Sequence, residues 1–122
     1  MPIESYRDLR VWREAMDLVE VCYRLTAQFP RDEIYGLVSQ IRRAATAIPA
    51  NIAEGCGRDA TGSCIRFFKI SRGSLKEHEA HILVAARVEI VTSEAIKPTL
   101  ERCETVGKML NGLIRSLKEQ TL

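Results

Sequence analysis

The chain has 122 residues, 46% of them hydrophobic and 28% charged, and a formal net charge of +2. That length suits one domain with one core, and so small a charge does not by itself announce a nucleic-acid partner. No apolar run approaches the ~18 residues that span a bilayer. The opening MPIESYRDLR carries charges where a secretory leader has an apolar core, so the expected location is cytoplasmic, with no membrane partner.

Helical spacing dominates from the start. A first helix is predicted from about 8 to 29, where Pro30 ends it. It carries two apolar stripes, Leu9, Trp12, Met16, Val19 and Tyr23 on one line and Val11, Ala15, Leu18, Cys22, Leu25 and Phe29 on the other. At ~100° per residue the stripes lie roughly 110° apart. One is a core face, and the other is read as a face for a second copy of the chain rather than as a widened core stripe.

A second helix is expected from about 32 to 58, with Asp32 and Glu33 supplying negative charge at its start. Pro49 falls inside it. A break there would leave Ile48 as the cap, a poor one, so a continuous but kinked helix is expected, with packing offsetting the ~3 kcal/mol cost of an interior proline. Leu37, Ile41, Ile48 and Ile52 form its apolar face. Gln40, Arg43, Asn51 and Glu54 form a regular polar stripe among small residues, read as a polar seam between packed helices or subunits, with a solvated face as the alternative.

A third helix is predicted from about 63 to 91, after the turn-rich 57–62, with Ser63 as its cap. Between Arg42 and Lys76 seven basic residues face two acidic ones, a local balance of +5. Arg66, Lys69, Arg72 and Lys76 share one side of this helix within a sector of roughly 120°, and Arg58 precedes them across the turn. Such a row neutralises phosphates without reading bases. A fourth helix, about 93 to 119, has a clean apolar face and Pro98 in or near its first turn. Four long helices with short connections predict an all-α, antiparallel up-down four-helix bundle.

Chemistry of other kinds finds little support. Glu77, His78 and His81 lie close along one helix, but no Glu-x-x-His motif occurs, and the pattern falls short of a metal site. No nucleophile elbow and no phosphate-binding glycine loop is present. Cys22 and Cys103 fall on apolar stripes as buried thiols, while Cys56 and Cys64 flank a turn. No enzyme activity, cofactor or metal is expected.

The sequence LRVW near the start, then FP, GLVSQIRRAATAIPANIAEG and RFFKISRGSLKEHEA, resembles a bacterial four-helix-bundle family. It is the family encoded by intervening sequences within 23S ribosomal RNA genes. The resemblance runs from Tyr6 to about Lys118. It implies a homo-oligomeric ring, a pentamer, and is shared with the accessory proteins of diversity-generating retroelements. Those relatives imply nucleic acid as a partner and, where its gene lies nearby, a reverse transcriptase. The chain departs from the family pattern at His78, where an apolar residue is usual, and at Arg87-Val88-Glu89-Ile90, which lacks a usual glycine and aromatic. The expected function is a non-catalytic oligomeric scaffold that binds RNA or DNA weakly. The alternative is a purely structural or protein-interaction module.

Overall fold

The computed structural model describes residues 5–120, so the first four residues of the charged opening and the last two of the chain lie outside it. It contains four long helices: α1 (Arg10–Thr26), α2 (Ser39–Cys56), α3 (Thr61–Arg87) and α4 (Ser93–Gln120). No strand occurs among the described residues. Each helix packs on the next, and α4 packs on α1, so the four enclose a shared interior.

The start of α1 differs from the expected one for a local reason. Ser5 Oγ accepts the Arg7 N–H at 3.2 Å and caps a short 3₁₀ turn, Tyr6–Asp8. Leu9 is then extended, and regular helix begins at Arg10. At the other end the backbone tightens before Pro30, with Gln28 N–H donating to the Leu25 carbonyl and Phe29 N–H to that of Thr26. Helix therefore stops at Thr26, though Phe29 is still buried.

The segment before α2 is not regular helix from residue 32, as its acidic residues suggested. Arg31–Glu33 form a 3₁₀ turn, and Ile34–Val38 form a wider π-type turn in which Gly36 leaves helical angles (φ −107°, ψ −109°). The Glu33 carboxylate accepts the Leu37 N–H at 3.4 Å, so its charge is used inside the turn. From Ser39 to Cys56 the helix runs through Pro49 without interruption. Side chains of α3 and of α2 itself bond to its carbonyls in the turns that precede the proline. Ser71 Oγ donates to the Ile48 oxygen at 2.8 Å, Asn51 Nδ2 to the Ala47 oxygen at 2.8 Å, and His78 Nδ1–H to the Ile41 oxygen at 3.3 Å. These bonds and the burial of Ile41, Ala45, Ile48 and Ile52 offset the cost of the proline.

Gly55 lets α3 approach. A β-carbon there would lie 2.7 Å from Phe68 Cε1 and 3.2 Å from the Cys64 carbonyl oxygen. Ser63, expected as the cap of α3, is inside the helix: its N–H bonds to the Ala60 carbonyl at 3.1 Å, and Ala60 takes the cap position with no side-chain bond. The helix ends at Arg87 rather than 91. Ile90 N–H reaches back to the Ala85 oxygen at 2.9 Å and Glu89 N–H to that of Ala86 at 3.1 Å, with Glu89 left-handed at φ 64°. This is the closing geometry that usually takes glycine. Thr92 Oγ1 then accepts the Ala95 N–H at 3.1 Å and starts α4, placing Pro98 in the second turn.

The interior has two apolar clusters. One joins Leu18, Ile48, Ile52, Phe68, Leu75, Val106 and Leu110; the other joins Cys22, Leu25, Phe29, Ile41, Ile82 and Ile96. In α1 the stripe Val11, Ala15, Leu18, Cys22 and Leu25 is buried. The second stripe is only partly covered, with Met16 42% and Tyr23 41% exposed.

Candidate nucleic-acid interface

The long α3 carries Phe68, Ser71, Leu75, His78 and Ile82 inward at three- and four-residue spacing. The basic residues between them are thereby turned to the surface: Arg66, Lys69 and Lys76 are exposed, and Arg72 is half-buried. Their surroundings differ. Arg72 Nη1 donates to Asn111 Oδ1 at 3.0 Å, which ties the row to α4. Lys76 Nζ is 3.4 Å from Glu79 Oε1. Lys69 stands beside Lys118 of α4, and that neighbouring ammonium, together with a hydrogen bond to it and the nearby Arg72, pushes the Lys69 pKa down. An anion bound here relieves the mutual repulsion of these cations.

Arg58 sits just past the end of α2 and pairs with Glu54 at 2.9 Å, both side chains largely in solvent. Its guanidinium also lies 4.5 Å from the Phe67 ring centre, and that of Arg66 lies 5.8 Å from the same ring. Two guanidinium groups thus meet at one half-buried aromatic, within the range of cation–π attraction. Spacing along α3 does not point to Lys118 or Asn111, because only the packing of α4 on α3 brings them to the row.

The polar stripe of α2 is placed differently from a seam inside one chain. Gln40, Arg43 and Glu54 are exposed, and Asn51 is half-buried with its amide bonded to its own helix. Arg43 and Glu54 do not pair; Glu54 is held by Arg58. Any seam made by this stripe is therefore one between copies of the chain.

The histidines diverge. His78 is fully buried, with Nε2 lacking a hydrogen-bond partner, and burial pushes its pKa down to about 4. His81 Nε2 lies near the surface, 3.4 Å from Glu77 Oε1. Among the described residues, no three or more His, Cys, Asp or Glu side chains gather where they could hold one metal ion. Burial raises the thiols of Cys22 and Cys103 to about 11 and about 12. Cys56 is raised too, by burial and then by the nearby Cys64. No helix of the described residues is long and apolar enough to cross a membrane.

Four helices around a common core, with a row of basic side chains along the outer side of α3, define a small all-α protein. The family described as 23S rRNA-intervening sequence protein matches residues 7–112, and the chain belongs to it. It is also similar to a solved structure of a protein with unknown function from the S23 ribosomal protein family of Bacteroides thetaiotaomicron. The two share 20% identity with a TM-score of 0.76, over 85% of this chain and 97% of that one. At that identity the likeness speaks for the fold alone. No curated protein matches.

Proposed function

We propose that the chain is the subunit of a non-catalytic, cytoplasmic homo-oligomeric ring, a pentamer of antiparallel up-down bundles, that holds RNA or DNA weakly by its phosphates. The observation that carries this reading is the basic strip that Lys69, Arg72 and Lys118 make across α3 and α4. Repetition around a ring adds the same strip from every subunit to one field. An antiparallel path is supported by the pairing of α3 with α4. Lys69 neighbours Lys118, Arg72 bonds Asn111, and Leu75 stands under Gly107, so one number rises as the other falls. Assembly is supported by the part-exposed second stripe of α1, which borders an apolar groove with Trp12, Met16, Val19 and Pro49. A reverse transcriptase is the protein partner where its gene stands beside this one.

A second reading, a structural or protein-interaction module without nucleic acid, draws on a different observation. Leu83, Val84 and Val88 near the end of α3 are all about half exposed, an apolar patch of the kind that proteins bind. Fluorescence anisotropy with labelled RNA and DNA at several salt concentrations separates the two. Phosphate contacts make log affinity fall with log salt by roughly 0.7–0.9 per phosphate engaged. The Lys69→Gln/Arg72→Gln variant should bind all sequences more weakly with a flatter slope, while sizing shows the assembly intact. Absence of wild-type binding at low salt, or an unchanged slope in the variant, hands the function to the second reading.

A further inference from the structure

Away from the α3 row, the end of α1, the turn 27–38 and the start of α2 enclose a cleft of about 700 Å³. Three arginines line it, Arg31, Arg42 and Arg43, and no carboxylate does. None of the three is in an ion pair among the described residues, although ion pairs are frequent elsewhere on this surface. No carboxylate among the described residues pairs with this charge.

Arg42 is held in place. Its Nε donates to Thr26 Oγ1 at 2.8 Å, its Nη2 lies 3.4 Å from the Tyr23 carbonyl oxygen, and its guanidinium stacks 4.3 Å from the Tyr23 ring centre. Thr26 in turn donates to the Cys22 carbonyl at 2.8 Å, which orients its hydroxyl oxygen to accept from Arg42. A guanidinium fixed by neutral groups keeps its full charge for a ligand and loses little freedom on binding one. Ser39 and Thr46 add hydroxyls to the lining. At the rim stands Tyr35, 96% exposed, carried there by the π-type turn and the departure of Gly36 from helical angles.

We infer that this cleft binds a nucleotide, with the arginines and hydroxyls on the phosphate and the Tyr35 ring stacked on the base. Clustered guanidinium groups match phosphate oxygens in charge and geometry, a free aromatic face takes a base, and the volume lies within the ~300–1,000 Å³ usual for small-molecule sites. The source is either a free nucleotide or one at the end of a single strand. The inference is independent of the α3 row, since it uses none of those residues.

The test uses the full chain in its native assembly. A fluorescent ATP analogue is titrated by anisotropy, with AMP, inorganic phosphate and a short 5′-phosphorylated single strand as unlabelled competitors. Saturable binding is expected, with AMP competing far better than phosphate. Arg43→Gln and Arg31→Gln, both at exposed positions, should each weaken binding roughly tenfold to a hundredfold, the usual effect of losing a charged hydrogen bond. Tyr35→Ala should weaken AMP about fivefold or more and leave competition by phosphate unchanged. The Lys69→Gln/Arg72→Gln variant should bind the analogue as wild type does. Displacement by the single strand supports the site with a strand end as its source; binding without such displacement supports it with free nucleotide. No saturable binding to wild type, wild-type affinity in both arginine variants, or an unaffected Tyr35→Ala each overturns the inference. If wild type fails to bind and Arg43→Gln or Tyr35→Ala splits the assembly, the cleft is instead an interface between copies.

Discussion

His78 should make the stability of this protein fall sharply in mild acid. Its ring is fully buried, Nδ1–H is spent on the Ile41 carbonyl, and Nε2 has no acceptor waiting for a second proton. Burial, opposed in part by the Ile41 bond and aided by nearby His81, lowers the pKa from 6.5 to about 4. A group whose folded pKa is depressed stabilises the fold above its unfolded pKa, and that stabilisation drains away as pH falls toward the folded value. The window here runs from about pH 6.5 down to about pH 4. Over the whole window the shift corresponds to roughly 3 kcal/mol, and between pH 7.5 and pH 5 to ~2 kcal/mol. For a chain of this length that is a Tm difference of roughly 8 °C. The assay is thermal unfolding of wild type and His78→Leu at both pH values, with His78→Gln as a second non-titrating variant. Other groups contribute to the pH dependence of all three proteins, so the quantity of interest is the extra loss in wild type. Equal losses in wild type and both variants would refute the argument and show that the buried ring is protonated without cost.

Three further outcomes are expected. Glu89→Gly should stabilise by ~0.5–1 kcal/mol in chemical denaturation, because glycine adopts the left-handed φ of 64° without the strain that glutamate bears, less the freedom it gains in the unfolded chain; unchanged or lowered stability counts against the cap. Gly55→Ala should cost ~1–3 kcal/mol through its clash with Phe68 and Cys64, whereas Gly73→Ala, with nothing near a new β-carbon, should be neutral or stabilise by up to ~1 kcal/mol; similar effects at the two sites would remove the close approach as the reason for Gly55. Glu54→Ala should lower the thermal stability of the assembly more than Glu119→Ala. The Glu54–Arg58 pair is surface-exposed and worth only ~0.3–0.5 kcal/mol in one chain, so equal shifts would show that the α2 stripe is solvated rather than a seam between copies.

The sequence by itself determined the helical class, the number of long helices and much of the inward face. Three- and four-residue spacing is a property of the helix itself, so Leu18, Cys22, Ile41, Ile48, Ile52, Cys103 and Leu110 can be assigned to a core without knowing what they touch. The same spacing puts Arg66, Lys69, Arg72 and Lys76 on one side of α3. Continuity through Pro49 was legible because the alternative cap was poor. Helix ends were less so. Ser63 and Asp32 look like starts, yet backbone bonds to Ala60 and the π-type turn at Ile34–Val38 set the boundaries. Only tertiary structure decided what lies opposite each residue. Helix periodicity says nothing about the neighbour across a packing interface, so Lys118 beside Lys69, Asn111 on Arg72 and Ser71 on the Ile48 carbonyl were not readable. For the same reason Arg42 reads as one more charge on α2 and Arg43 as part of its polar stripe, whereas the fold makes both of them, with Arg31, walls of one cleft between the end of α1, the turn after Pro30 and the start of α2.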